Sequence, residues 1–75
     1  MFLKFYNRLI LVDKIESINK KDFKGDELYR DTYEVILIIG GEDYVYSFDT
    51  EEERDNVYNK IVELITKNHE VVEII

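Results

Sequence analysis

The stretch Tyr33-Glu34-Val35-Ile36-Leu37-Ile38-Ile39-Gly40-Gly41-Glu42-Asp43-Tyr44-Val45-Tyr46-Ser47-Phe48 carries the strongest structural signal in the chain. Its two arms are rich in β-branched and aromatic side chains, and the glycine pair between them supplies the positive φ angles of a tight hairpin turn. If the loop is the two glycines alone, Ile39 faces Glu42, Leu37 faces Tyr44, Val35 faces Tyr46 and Tyr33 faces Phe48. Side chains alternate across a strand, so one face carries Tyr33, Val35, Leu37, Ile39, Tyr44, Tyr46 and Phe48. The other face carries Glu34, Ile36, Ile38, Asp43, Val45 and Ser47, a polar frame around an apolar centre.

Immediately downstream, Asp49-Thr50-Glu51-Glu52-Glu53 reads as a helix start. Thr50 can cap, Glu53 stands where a capping box places its acidic partner, and the carboxylates of the first turn complement the helix dipole. Val57, Ile61, Leu64 and Ile65 then recur on one stripe, with Tyr58 and Val62 at its margin. Lys67 and Asn68 are suitable stop residues, which predicts a helix over about Glu51 to Lys67. Beyond it, Val71-Val72-Glu73-Ile74-Ile75 is a short apolar tail and a candidate final strand that needs a partner surface.

Upstream, Phe2-Leu3-Lys4-Phe5-Tyr6 and Leu9-Ile10-Leu11-Val12 are apolar runs separated by Asn7-Arg8 and read as a strand pair. Ile15-Glu16-Ser17-Ile18 begins a further strand, and Asn19 to Glu27 reads as a polar surface loop. The order of elements predicts an α+β fold: an antiparallel β-meander with one C-terminal amphipathic helix, in a single domain over residues 1–75.

Composition narrows the function classes. An apolar content of 45% is ordinary for a packed globule and too high for a disordered chain, even at a net charge of -7. That charge argues against sequence-independent nucleic-acid binding, which relies on Lys and Arg to displace phosphate counterions, and against anionic membrane surfaces. No run reaches the length of apolar sequence needed to span a bilayer, and charges interrupt the first apolar run as they would not in a secretory signal. A soluble, cytoplasmic protein is expected, and the lack of Cys fits a reducing compartment. The skew toward Ile, Lys, Asn, Asp, Glu and Tyr, with no Ala, Pro or Gln, points to an AT-rich genome.

No constellation of reactive groups stands out. There is no Cys, the single His is His69 just past the helix, where it reads as a cap or surface group, and Ser17 and Ser47 fall in predicted strands. The carboxylates Asp49, Glu51, Glu52, Glu53 and Asp55 lack the spacing of a calcium loop and point in different directions on a helix, so no metal and no cofactor is expected. Gly40-Gly41 is a turn and not a phosphate cradle, because no helix with Lys-Ser or Lys-Thr follows it. The tyrosines on the strands read as amphipathic core residues with hydroxyls at the rim. Tyr29 and Tyr33, flanking Arg30 beside the polar loop, are candidates for recognition, as are Lys20, Lys21 and Lys24 for a small anionic ligand.

The apolar N-terminal strand pair, the polar loop, the glycine-turned hairpin and the Phe48-Asp49-Thr50-Glu51-Glu52-Glu53-Arg54 helix start together resemble small accessory proteins of phages and mobile elements of low-GC Gram-positive bacteria. The resemblance implies a short, acidic, non-enzymatic binding protein that inhibits or modulates a host defence or regulatory protein. Two other functions fit the composition. One is an oligomer that sequesters a nucleotide or other small signal molecule, for which basic groups such as Arg8, Lys20, Lys21, Lys24 and Arg30 must gather across an interface. The other is a nucleic-acid mimic whose acidic face occupies a DNA-binding protein.

One helix covers one face of a sheet, so the chain is expected to self-associate as a homodimer through Ile36, Ile38 and Val45 and through Val71, Val72, Ile74 and Ile75. In the competing arrangement the N-terminal strands fold across the uncovered face and leave a monomer.

Overall fold

The computed structural model describes residues 1–74 and has the expected α+β architecture. Strands β1 (Phe2–Phe5) and β2 (Arg8–Leu11) form a two-stranded antiparallel ribbon, and a single 3-10 turn, Val12–Lys14, leads into the three-stranded sheet of β3 (Ile15–Phe23), β4 (Thr32–Ile39) and β5 (Glu42–Phe48). Helix α1 spans Glu51–Asn68. The meander is thus divided: the 3-10 turn and a register shift between Ile15 and Ser17 break the ladder where β2 would otherwise have continued onto β3.

The β4–β5 register is the one expected from the glycine pair, with Ile39 opposite Glu42, Leu37 opposite Tyr44, Val35 opposite Tyr46 and Tyr33 opposite Phe48. Gly40 and Gly41 adopt φ of 61° and 77°, the left-handed region that a two-residue turn demands at both central positions. The first ribbon turns at Tyr6-Asn7, one residue earlier than the sequence reading placed it, with Phe5 opposite Arg8. Tyr6 takes φ of 54°, a costly conformation for a bulky residue. Its ring lies against Tyr46 at 6.0 Å between centroids and against Phe5 at 5.1 Å, contacts that offset the strain.

Two expectations for the middle of the chain are corrected. Residues Asn19 to Phe23, read as loop, continue β3 and pair with β4 from Asn19 opposite Ile36 to Phe23 opposite Thr32. Their polarity misled because Asn19 and Lys21 point to an open face, while Lys20 and Asp22 sit at the outer strand of the sheet, where charge is tolerated. The connecting loop therefore covers residues 24–31 instead of 19–27, and so takes in Leu28 and Tyr29. This loop is built: the Gly25 N–H donates to Asp31 Oδ1 at 2.8 Å, and Asp26 Oδ1 accepts from the N–H groups of Leu28 and Tyr29 at 2.8 and 3.1 Å. A side chain at Gly25 would drive its Cβ into the Tyr29 carbonyl oxygen and the Arg30 backbone, so the close approach requires glycine.

The core lies on one side of the three-stranded sheet. Val35 and Leu37 are completely buried beneath Ile61 of α1 and Phe5 and Ile10 of the ribbon, with Ile18, Ile39, Tyr44, Tyr46, Phe48, Val57 and Ile65 packed around them. Each aliphatic side chain so buried contributes about 1.5–3 kcal/mol. The ribbon meets the sheet through its aromatic residues, with the Phe5 and Tyr46 rings 3.9 Å apart between centroids. Helix and ribbon thus share the tyrosine face, and the arrangement in which the N-terminal strands cover the other face is not the one adopted.

The tail is in no strand over its described residues: Val71, Val72 and Ile74 are exposed, while Ile75 lies outside the described residues. At its root, the His69 N–H donates to the Ile65 carbonyl and its ring Nε2 lies 2.9 Å from Asp13 Oδ1, tying the end of the helix to the 3-10 turn. At the other end Thr50 caps as expected, its hydroxyl oxygen accepting the Glu53 N–H at 3.1 Å. Thr50→Ala is expected to lower the stability of the chain by about 0.5–2 kcal/mol through loss of that bond, measured as a shift in the denaturant midpoint at unchanged slope.

Candidate interaction surface

The open face of the three-stranded sheet is read directly from the register. Across β3, β4 and β5 it runs in rows: Lys21, Glu34 and Ser47; Asn19, Ile36 and Val45; Ser17, Ile38 and Asp43; with Phe23 beside Thr32 at one end. Its centre is apolar and its rim polar, the anatomy of a protein interface. Val45 is 50% and Phe23 46% exposed, while Ile36 and Ile38 are half-buried by their neighbours in the sheet. The rim is partly ordered by its own hydrogen bonds, from Asn19 Nδ2 to Ser17 Oγ at 2.9 Å and from the Ser47 hydroxyl to Glu34 Oε2 at 3.5 Å.

The residues singled out for self-association do not form one surface. Ile36, Ile38 and Val45 share the open face, whereas the tail carrying Val71, Val72 and Ile74 follows a helix packed on the opposite face. The basic candidates also diverge. Lys20 points to the covered side, where its Nζ lies 3.8 Å from Asp55 and 4.9 Å from the centre of the Tyr58 ring. Lys21 points to the open face, and Lys24 is exposed at the start of the loop. Arg30 pairs with Asp49 at 3.3 Å, and Arg8 stacks over the Tyr44 ring at 4.2 Å. These five cations do not converge within one chain.

Of the tyrosine pair flanking Arg30, only Tyr29 is exposed, on the built loop next to Leu28. Tyr33 is half-buried on the covered face, 5.6 Å from the Arg54 guanidinium, and does not belong to an exposed patch with Tyr29. Tyr6, Asn7 and Arg8 instead border an open groove of about 460 Å³ against Asp43, Tyr44 and Tyr46 on β5. The carboxylates of the helix start have separate tasks, Asp49 beside Arg30 and Asp55 beside Arg54. Among the described residues no group of three or more His, Cys, Asp or Glu side chains could hold a metal ion, and no helix is long and apolar enough to cross a membrane.

Arg54 was not anticipated and is the one buried charged residue among those described, at 4% exposure. Its guanidinium donates to Asp55 Oδ1 at 2.7 Å, to Asp22 Oδ1 at 2.8 Å and to the Lys21 carbonyl at 3.2 Å, so it clamps the first helical turns to β3. Burial opposes its charge, but the hydrogen bonds to Asp55 and Asp22 and the negative charge of both outweigh burial and raise its pKa further above the ordinary arginine value. A signal was present in the sequence: Arg54 lies on the stripe of Val57, Tyr58, Ile61 and Ile65.

No family model, curated protein or solved structure matches the chain.

Removing the clamp should be costly, though both carboxylates reach water and are not stranded in the core. Arg54→Ala is expected to destabilise by about 2–3 kcal/mol, and Arg54→Met by less, because it keeps the packing of the stem while the two carboxylates turn to solvent. Denaturant titration of the two variants against the parent checks both the size and the order.

Proposed function

We propose that the protein is a non-catalytic binding module that engages a partner protein through the open face of its three-stranded sheet. The observation that carries this reading is the placement of the ribbon. It packs beside the helix on the tyrosine face and leaves Ile36, Ile38, Val45 and Phe23 without a cover from the chain's other elements. A contiguous apolar centre inside a polar rim is uncommon on a surface with no partner. With a net charge of -7 and Glu34 and Asp43 on the rim, the complementary surface is an apolar patch framed by Lys or Arg.

On this reading the protein acts by occupancy: it covers a working surface of a host defence or regulatory protein in the cytoplasm and so inhibits or modulates it. The layout resemblance to phage and mobile-element accessory proteins supports a host component as the target. The ordered loop adds a second point of contact beyond the sheet, with Leu28 at 85% exposure held on a frame of four hydrogen bonds.

The test is a paired capture from host lysate with the parent chain, Val45→Arg on the open face and Asn59→Arg on the exposed side of the helix. Surface substitutions of this kind change stability by only about 0.5 kcal/mol, so all three should fold alike by circular dichroism. The expected result is a protein retained by the parent and by Asn59→Arg and lost by Val45→Arg, which sets a new cation against the basic rim of the partner. Equal retention by Val45→Arg removes the open face as the docking surface.

A further inference from the structure

On the covered side, a groove of about 400 Å³ runs between β1 and α1. Leu3 and Phe5 of the strand and Val57 and Ile61 of the helix line it, while Lys4 and Lys60 stand at its two margins. Among the described residues neither lysine has an ion-pair partner, although the chain carries 17 acidic groups against 10 basic ones. The groove is therefore an apolar slot with a positive rim on an otherwise acidic molecule.

The strand that borders it has a free edge. Among the described residues β1 pairs only with β2. In that ribbon Phe5 and Arg8 flank a two-residue turn and form a hydrogen-bonded pair, so the alternation of an antiparallel ladder turns the N–H and C=O of Phe2 and Lys4 away from β2. An incoming strand would find unpaired backbone groups at Lys4 and an apolar slot beside Leu3 and Phe5.

The chain itself carries a segment of matching chemistry. Residues 70–74 read Glu-Val-Val-Glu-Ile, lie past the helix end in no helix or strand, and expose Val72 at 76% and Ile74 at 91%. As a strand they place Val72 and Ile74 on one side and Glu73 on the other. We propose that this tail, from a second copy of the chain, docks as an added antiparallel strand along β1. Val72 and Ile74 enter the groove beside Phe5 and Leu3, and Glu73 lies opposite Lys4 on the outer face. Two copies related by a twofold axis exchange tails reciprocally, which closes the assembly at a dimer.

Direction distinguishes this from a tail folding back on its own strand. The His69 ring at Asp13 and the Val12 N–H bonded to the Met1 carbonyl at 3.0 Å place the end of the helix beside the start of β1. A chain's own tail would enter from the Met1 end and run parallel to β1. A partner's tail enters from the Phe5 end and forms the antiparallel pairing, which sets Glu73 against Lys4 and is the more stable of the two.

Light scattering on chromatographed protein, from micromolar to millimolar, tests the exchange. The parent chain is expected to move from 9.0 kDa toward twice that mass as concentration rises, and deletion of residues 70–75 to hold it at the monomer. Lys4→Glu and Glu73→Lys should each raise the dissociation constant by about tenfold, since each sets like charges opposite one another, and the double variant should recover the parent value. A folding defect would not be repaired by the second substitution. The chain has no cysteine, so a mixture of Lys4→Cys and Glu73→Cys chains should also form a disulfide-linked heterodimer on mild oxidation. The proposal is overturned if the parent stays monomeric throughout, if the charge exchange does not restore association, or if a Lys4→Cys/Glu73→Cys chain closes the bridge within one monomer while the mixture does not cross-link.

Discussion

Val35 and Leu37 stand at the middle of the central strand, and both are sealed from water by Ile61 of the helix on one side and Phe5 of the ribbon on the other. Only six apolar side chains are buried among the described residues, so this shared seam is most of the core. Its smallness sets the architecture. A helix alone leaves the aromatic side of β5 in water, and the ribbon brings Phe5 and Tyr6 onto Tyr46 and Phe48 to close it. With both covers spent on one face, the other face of the sheet stays open.

What was legible in the sequence divides along the same seam. The β4–β5 register followed from two glycines and from alternation, because a two-residue turn admits only one pairing of its flanks. The helix followed from a cap and a stripe. The strand character of Asn19 to Phe23 was hidden, since a strand with one face open and one edge unpaired has few positions that must be apolar. Length was the usable signal: β4 runs over eight residues and leaves backbone groups unsatisfied unless its neighbour is equally long. The tail misled in the opposite sense, because its β-type composition names a tendency and not a partner.

Arg54 shows why a stripe should be read for charges as well as for apolar residues. A guanidinium on the buried side of a helix start is stable only with partners that reach it from the facing element, and here Asp22 on β3 and the Lys21 carbonyl are those partners. The clamp therefore depends on the same stretch of β3 that composition had assigned to a loop. Had Arg54 been placed on the covered face at the outset, it would have demanded an ordered acidic partner nearby, and Asp22 with its flanking residues would have been drawn into the sheet.

So small a sheet, with unpaired edges, needs features that keep it from pairing indiscriminately with itself. Exposed edges are templates for further strands unless charge or irregularity blunts them. Here β3 carries Lys20, Lys21 and Asp22 on its outer stretch and a register shift near its start, and β5 begins with Glu42 and Asp43. Any second copy also arrives with the same net charge of -7. Pairing β5 with β5 sets acid against acid only where Glu42 and Asp43 meet, the register shift interrupts the ladder at the edge of β3, and the Arg54 clamp holds the charged stretch of β3 to the helix. The edge of β1 differs, since its one charge is the cation Lys4 among Phe2, Leu3 and Phe5. The charges that blunt the edges of β3 and β5 are absent from β1, whose edge suits a strand that is apolar and acidic at once.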